Sequence, residues 1–251
     1  MHTAFVKIEE TARVFWSQSG LHEVFPRDMQ QAIGLAKDVV VIHLPALRIK
    51  GIRTWLRERN FDFQLPPFDK FLHGFLLTHQ GTGFIFVNGS DNEAERRFTL
   101  AHEIAHFILD YETPRQQAVE EFGLVILEVL DGFRPPTVEE RLHGLVFNHS
   151  LVSFSHLLDS DSISGMSRLN VWQAENRADQ LALELLAPAH HVRVQVSKLG
   201  LPKRFAAHKS TLPNILTDHY GLPESIAEGY ANHLARKFTG GPTLAEQWGL
   251  R

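Results

Sequence analysis

The sequence predicts an α+β fold, mostly helical, with a small β-sheet of about three strands flanking one central helix. Apolar residues recur at spacings of three and four over most of the chain, the period of an amphipathic helix. Short β-branched or aromatic runs occur at Val39–His43, Phe71–Thr78 and Gly83–Val87, and the turn-prone His79-Gln-Gly-Thr-Gly83 joins the last two into a hairpin. With 251 residues, 43% of them hydrophobic, the chain buries a core without covalent staples.

Taken in order, Phe5, Ile8, Ala12, Phe15 and Trp16 define a first helix that Gly20 ends, and a second is expected from about Pro26 to Lys37. After the strand at Val39–His43, a basic amphipathic helix spans Ala46 to Arg59, with Arg48, Lys50, Arg53, Arg57 and Arg59 between apolar positions. Such a face is usually solvated, and it is also able to meet phosphate or an acidic partner. Pro66-Pro67 precedes the hairpin, whose second strand leads through Asn88-Gly89 into the central helix. Ser90 and Glu93 have capping-box spacing at that helix's start. Two more such signals, Thr113 to Gln116 and Thr137 to Glu140, open later helices, followed by a helical run from Leu151 to Leu158 and a loop from Asp159 to Ser167.

Helical periodicity returns from Trp172 to Pro188, then at Ala189–Leu199, His208–Tyr220 and Pro223–Lys237. The last two, joined at Gly221-Leu222, have the outline of a helix-turn-helix. Glu224 and Glu228 open the second helix, where a DNA reader would meet phosphate, so packing is expected there and DNA contact is not. The expected organisation is an N-terminal region over 1–65, a core over 66–190 with a helical insertion at about 113–168, and a C-terminal helical region over 191–251.

Composition narrows the chemistry. The chain has no cysteine, which excludes disulfides and thiolate catalysis and leaves His, Asp and Glu to hold any metal. A net charge of -4 gives no case for binding nucleic acid over the whole surface. No apolar run approaches the ~20 residues of a membrane span, and Lys7, Glu9 and Glu10 stand where a signal peptide would be apolar. A cytoplasmic location is therefore expected.

The central helix contains Arg97-Phe-Thr-Leu-Ala-His102-Glu103-Ile-Ala-His106. Residues four apart share a helix face, so His102 and His106 can aim at one ion while Glu103 stands beside them as a catalytic base for a bound water. Phe98, Ala101, Ala105, Ile108 and Leu109 bury the helix, and buried paired imidazoles need a partner or a metal. A hydrolytic zinc site with two His ligands takes a carboxylate from another element and leaves the fourth position to water. The stretch Glu175-Asn-Arg-Ala-Asp179-Gln-Leu-Ala-Leu-Glu-Leu-Leu-Ala-Pro188 supplies it. An isolated Glu/Asp pair is more often a solvated face; the paired histidines single out Glu175 as the third ligand and Asp179 as acceptor for the free ring N–H of a ligating His. Zn2+ is the expected ion on ligand type. Tyr111, His156 and Tyr220 are all candidates to polarise a reacting carbonyl, and spacing does not choose among them.

Together the two stretches resemble the signature blocks of the ImmA/IrrE family of zinc metallopeptidases. The resemblance covers roughly residues 70 to 190, with 68 residues between His106 and Glu175. It implies a gluzincin-like, zincin-type peptidase with His102, His106 and Glu175 on zinc and Glu103 as base. It further implies a bacterial or mobile-element protein whose substrate is a helix-turn-helix transcriptional repressor, acting in stress response or element control. The alternative from another class is a metal-stabilised regulatory module that contacts protein or DNA without proteolysis; Glu103 discriminates, since a purely structural site has no use for a poised carboxylate.

Overall fold

The computed structural model describes residues 8–63, 65–141 and 165–242, and the α+β architecture is as expected. Among the described residues, no helix is long and apolar enough to cross a membrane. The chain divides into two compact units: one comprises Met1–Ala36, Asn92–Ala101 and Gln180–Arg251, the other Lys37–Asp91 and His102–Asp179.

The second unit is built on a three-stranded sheet of β1 (Val39–Leu44), β2 (Gly74–His79) and β3 (Thr82–Asn88), in the order β1-β3-β2. β1 runs parallel to β3, with Val39 opposite Gly83, and β2 pairs antiparallel to β3 across the Gln80-Gly81 turn. Alternation divides β3 between two faces. Phe84 and Phe86 join Ile42, Phe75 and Leu77 under α3 (Ile49–Glu58), whose Ile52 and Leu56 complete the cluster. α3 starts later than the apolar pattern suggests. Ala46 has φ +49°, and Arg48 is extended and bridges Phe71, so three residues enter the helix from a turn.

From the opposite parity of β3, Gly83 faces Phe107. A Cβ at Gly83 would lie 2.8 Å from the Phe107 ring and 2.9 Å from Val39 Cγ2, so only glycine admits the aromatic side chain at this distance. Phe107 begins a wide π-helical turn, Phe107–Glu112, which joins α4 (Glu93–His106) to α5 (Thr113–Phe122) without a break. The Thr113 capping signal is thus overturned: the residue before it, Glu112, is already helical and no side chain caps α5. Pro114 lacks an amide N–H, and in the first turn of α5 that loss is tolerated. The turn is anchored on both sides, since Tyr111 Oη accepts the Gly81 N–H at 2.8 Å and Lys37 Nζ donates to Glu112 at 2.6 Å.

The helix α4 begins differently from the Ser90 proposal as well. The reciprocal pair is Asn92 and Glu95: Glu95 N donates to Asn92 Oδ1 at 2.9 Å and Asn92 N to Glu95 Oε2 at 3.3 Å. Ser90 Oγ instead accepts the Ala46 N–H. After α5, α6 (Leu127–Leu130) packs Val129 with Ala118 and Ile126. The third capping box forms as read, with Thr137 N on Glu140 Oε2 at 2.6 Å and Glu140 N on Thr137 Oγ1 at 3.2 Å. The expected helix at Leu151–Leu158 and most of the loop at Asp159–Ser167 lie outside the described residues; the loop's last positions already belong to α7 (Gly165–Leu186).

In the first unit, α1 (Ile8–Ser19) packs on α2 (Met29–Ala36), and α9 (Phe205–Asp218) on α10 (Glu224–Thr239). The end of α7 is a hub. Leu185 O accepts Trp16 Nε1 at 3.1 Å and Arg27 Nη1 at 3.4 Å, and Ala187 O accepts Tyr230 Oη at 3.0 Å before Pro188 turns the chain into α8 (Ala189–Lys198). The Leu-Leu-Ala-Pro signature is therefore a place where buried helix-end carbonyls without intrahelical partners find side-chain donors.

Candidate metal centre

One helical turn separates His102 from His106 at the end of α4, and their Nε2 atoms converge to 3.1 Å. Glu175, on α7, completes the group. Its Oε2 lies 3.4 Å from His102 Nε2 and its Oε1 3.6 Å from His106 Nε2. These donors all fall within 4.8 Å of one another, the one such His/Asp/Glu group among the described residues. Tetrahedral zinc with bonds of about 2.0–2.1 Å to nitrogen sets its ligand nitrogens roughly 3.3 Å apart. The donor set and its spacing fit that ion.

The outer nitrogens are held too. His102 Nδ1 is 2.9 Å from Asp179 Oδ1, and His106 Nδ1 is 2.7 Å from Asp110 Oδ2. Carboxylates on both Nδ1 atoms favour the tautomer that turns each Nε2 inward. Asp179 thus occupies the orienting position read from the sequence. Asp110 is an addition to the residues expected from the sequence, and its four-residue spacing from the buried His106 on a continuous helix is the signal for it.

Electrostatics make this a cation-seeking site. Burial lowers the basicity of both rings, yet the carboxylates of Asp179 and Glu175 outweigh it and raise His102 to about 10. Burial likewise opposes charge on His106, and Asp110 and Glu175 raise it to about 9. The two rings in turn hold Glu175 well below the usual carboxylate range. In the metal-free chain protons supply the positive charge that a divalent ion would replace. Burial pushes Glu103 upward, against the pull of His102 and His106, which suits a carboxylate that must both take and give a proton.

All five residues read as a site therefore come together: His102, Glu103, His106, Glu175 and Asp179. Of the candidate polarising residues, Tyr111 is committed to the hairpin turn through Gly81, and the Tyr220 hydroxyl meets His191 Nδ1 at 2.9 Å; His156 lies outside the described residues.

Residues 57–134 match the peptidase M78 family model, described as the IrrE N-terminal-like domain. This stretch is similar to the IrrE N-terminal-like domain. This agrees with the resemblance seen in the sequence, and the matched span includes His102, Glu103 and His106 while ending before Glu175. No curated protein and no solved structure matches the chain. The similarity is to a peptidase-type domain; Glu175 and Asp179 both stand on the helix beyond the matched span.

Proposed function

We propose that the chain is a zinc-dependent peptidase. The observation that carries this is the donor set among the described residues: His102, His106 and Glu175 converge, Asp179 and Asp110 are committed to ring nitrogens, and Glu103 stays beside the group outside the ligand set. Three protein ligands and an adjacent unligated carboxylate are the composition of a catalytic zinc site, whereas a structural site is closed by four. Zinc held there supplies Lewis acidity, polarising the scissile carbonyl and acidifying water. Glu103 takes the proton of the attacking water and returns it to the leaving amine as the C–N bond breaks. Its upward-shifted affinity for protons favours the first transfer.

Substrate is recognised as an extended strand. β2 lies at the edge of the sheet, and main-chain pairing along such an edge selects a flexible segment of a protein rather than a folded surface. On the resemblance of the two signature stretches alone, the protein cleaved is taken to be a regulator, specifically a helix-turn-helix transcriptional repressor in stress response or mobile-element control. The test is to incubate the purified chain, with its zinc measured, with helix-turn-helix repressors cloned from its own genome and to map fragments by mass spectrometry. A single zinc-dependent cut in an extended segment supports the assignment. Intact repressor in the presence of fully zinc-loaded protein contradicts this choice of substrate.

A further inference from the structure

We infer that Asp110 and Arg177 act as a pair of positioning residues that key His106 to the helix bearing Glu175; the inference rests on the metal-centre reading above. Asp110 spends its two oxygens on different partners. Oδ2 meets His106 Nδ1 at 2.7 Å and Oδ1 meets Arg177 Nη2 at 3.2 Å. A carboxylate bound at one oxygen pivots about its Cβ–Cγ bond; bound at both, it fixes the plane in which it presents Oδ2 to the ring.

Arg177 stands on α7 between Glu175 and Asp179. The contacts are therefore crossed: α7 contributes Asp179 to orient His102, and Arg177 to hold the aspartate that orients His106. Both imidazoles are indexed to the element that supplies the third donor. A shift of α7 that moved Glu175 would disturb both rings together, so the three donors act as one unit. A lysine at 177 would offer a point charge on a shorter stem, whereas the planar guanidinium reaches Asp110 from a side chain that is half exposed. Because of that exposure the ion pair adds little to folding stability, and its effect belongs at the metal site.

The test uses Co2+ as the probe metal on the full chain, with affinity from titration and site geometry from the visible absorption of the bound ion. Asp110→Asn and Arg177→Met each weaken Co2+ binding by about 10-fold and alter the spectrum, in line with the loss of an outer partner of a ligating histidine. Arg177→Lys recovers part of both, and Asp110→Asn/Arg177→Met is no weaker than Asp110→Asn alone. Arg177→Met with wild-type affinity and spectrum overturns the positioning role, as do losses that multiply in the double variant. A wild-type chain that binds no Co2+ overturns the metal-centre reading itself, which separates the two failures.

Discussion

Asp179 Oδ1 lies 2.9 Å from His102 Nδ1, joining two residues 77 positions apart in the sequence. This contact fixes which imidazole nitrogen faces Glu175. Replacing Asp179 with Ala removes the acceptor and leaves Glu175 in place, so zinc affinity falls about 10- to 100-fold while the fold persists. Competition with a chelator of known affinity, alongside circular dichroism, measures both; unchanged affinity would remove Asp179 from the site.

Gly83 admits Phe107 against the sheet, and an added Cβ would meet its ring at 2.8 Å. Gly83→Ala therefore destabilises the chain by about 1–3 kcal/mol, the range for overpacking a filled core. Chemical denaturation measures the loss, and Phe107→Leu in the same chain restores part of it by vacating the space.

Tyr111 is a structural residue in this account. Tyr111→Phe deprives the Gly81 N–H of its acceptor and costs about 0.5–1.5 kcal/mol of stability. Turnover per zinc stays at the wild-type level; a large drop in kcat with unchanged stability would reinstate Tyr111 as the group that polarises the carbonyl.

Zinc and protons compete for the same nitrogens. The surrounding carboxylates raise His102 and His106 to about 10 and about 9 in the metal-free chain, so binding zinc must displace proton charge from the site. Apparent affinity accordingly rises with pH up to about 9 and flattens above the higher value. The stability of the apo chain follows the opposite sign. These folded-state values are raised above the unfolded value of 6.5, so the stabilisation they contribute is complete below 6.5 and fades as pH climbs through 9 and 10. Thermal melts of chelator-treated protein from pH 6 to pH 10.5 test this; a rise in stability across that window contradicts it.

How much of this was legible in the sequence depends on how local each signal is. His102, Glu103 and His106 were readable because a helix fixes their spacing, and Glu175 because the ligand set demanded a carboxylate from another element and Glu175 pairs with Asp179 on one helix face. The start of α4 was misplaced by two residues for a physical reason. Ser90 and Asn92 both cap helices well, and each precedes a glutamate by three positions, so two boxes overlap; Ser90 is withdrawn by a tertiary bond from Ala46, which leaves Asn92. At Thr113, proline and threonine spelled a new helix, but the wide turn from Phe107 carried the old one through. Asp110 carries no signal in the sequence beyond its four-residue spacing from His106. Arg177 was invisible to periodicity, since a long side chain reaches a partner its backbone position does not face.

The central claim is a three-donor zinc centre with Glu103 as the base. Its most direct test is to measure zinc content and repressor cleavage side by side for the wild-type chain and Glu103→Gln. The account predicts about one zinc per chain in both, with cleavage by the variant reduced at least ~100-fold. Equal cleavage by Glu103→Gln at full zinc occupancy would contradict it.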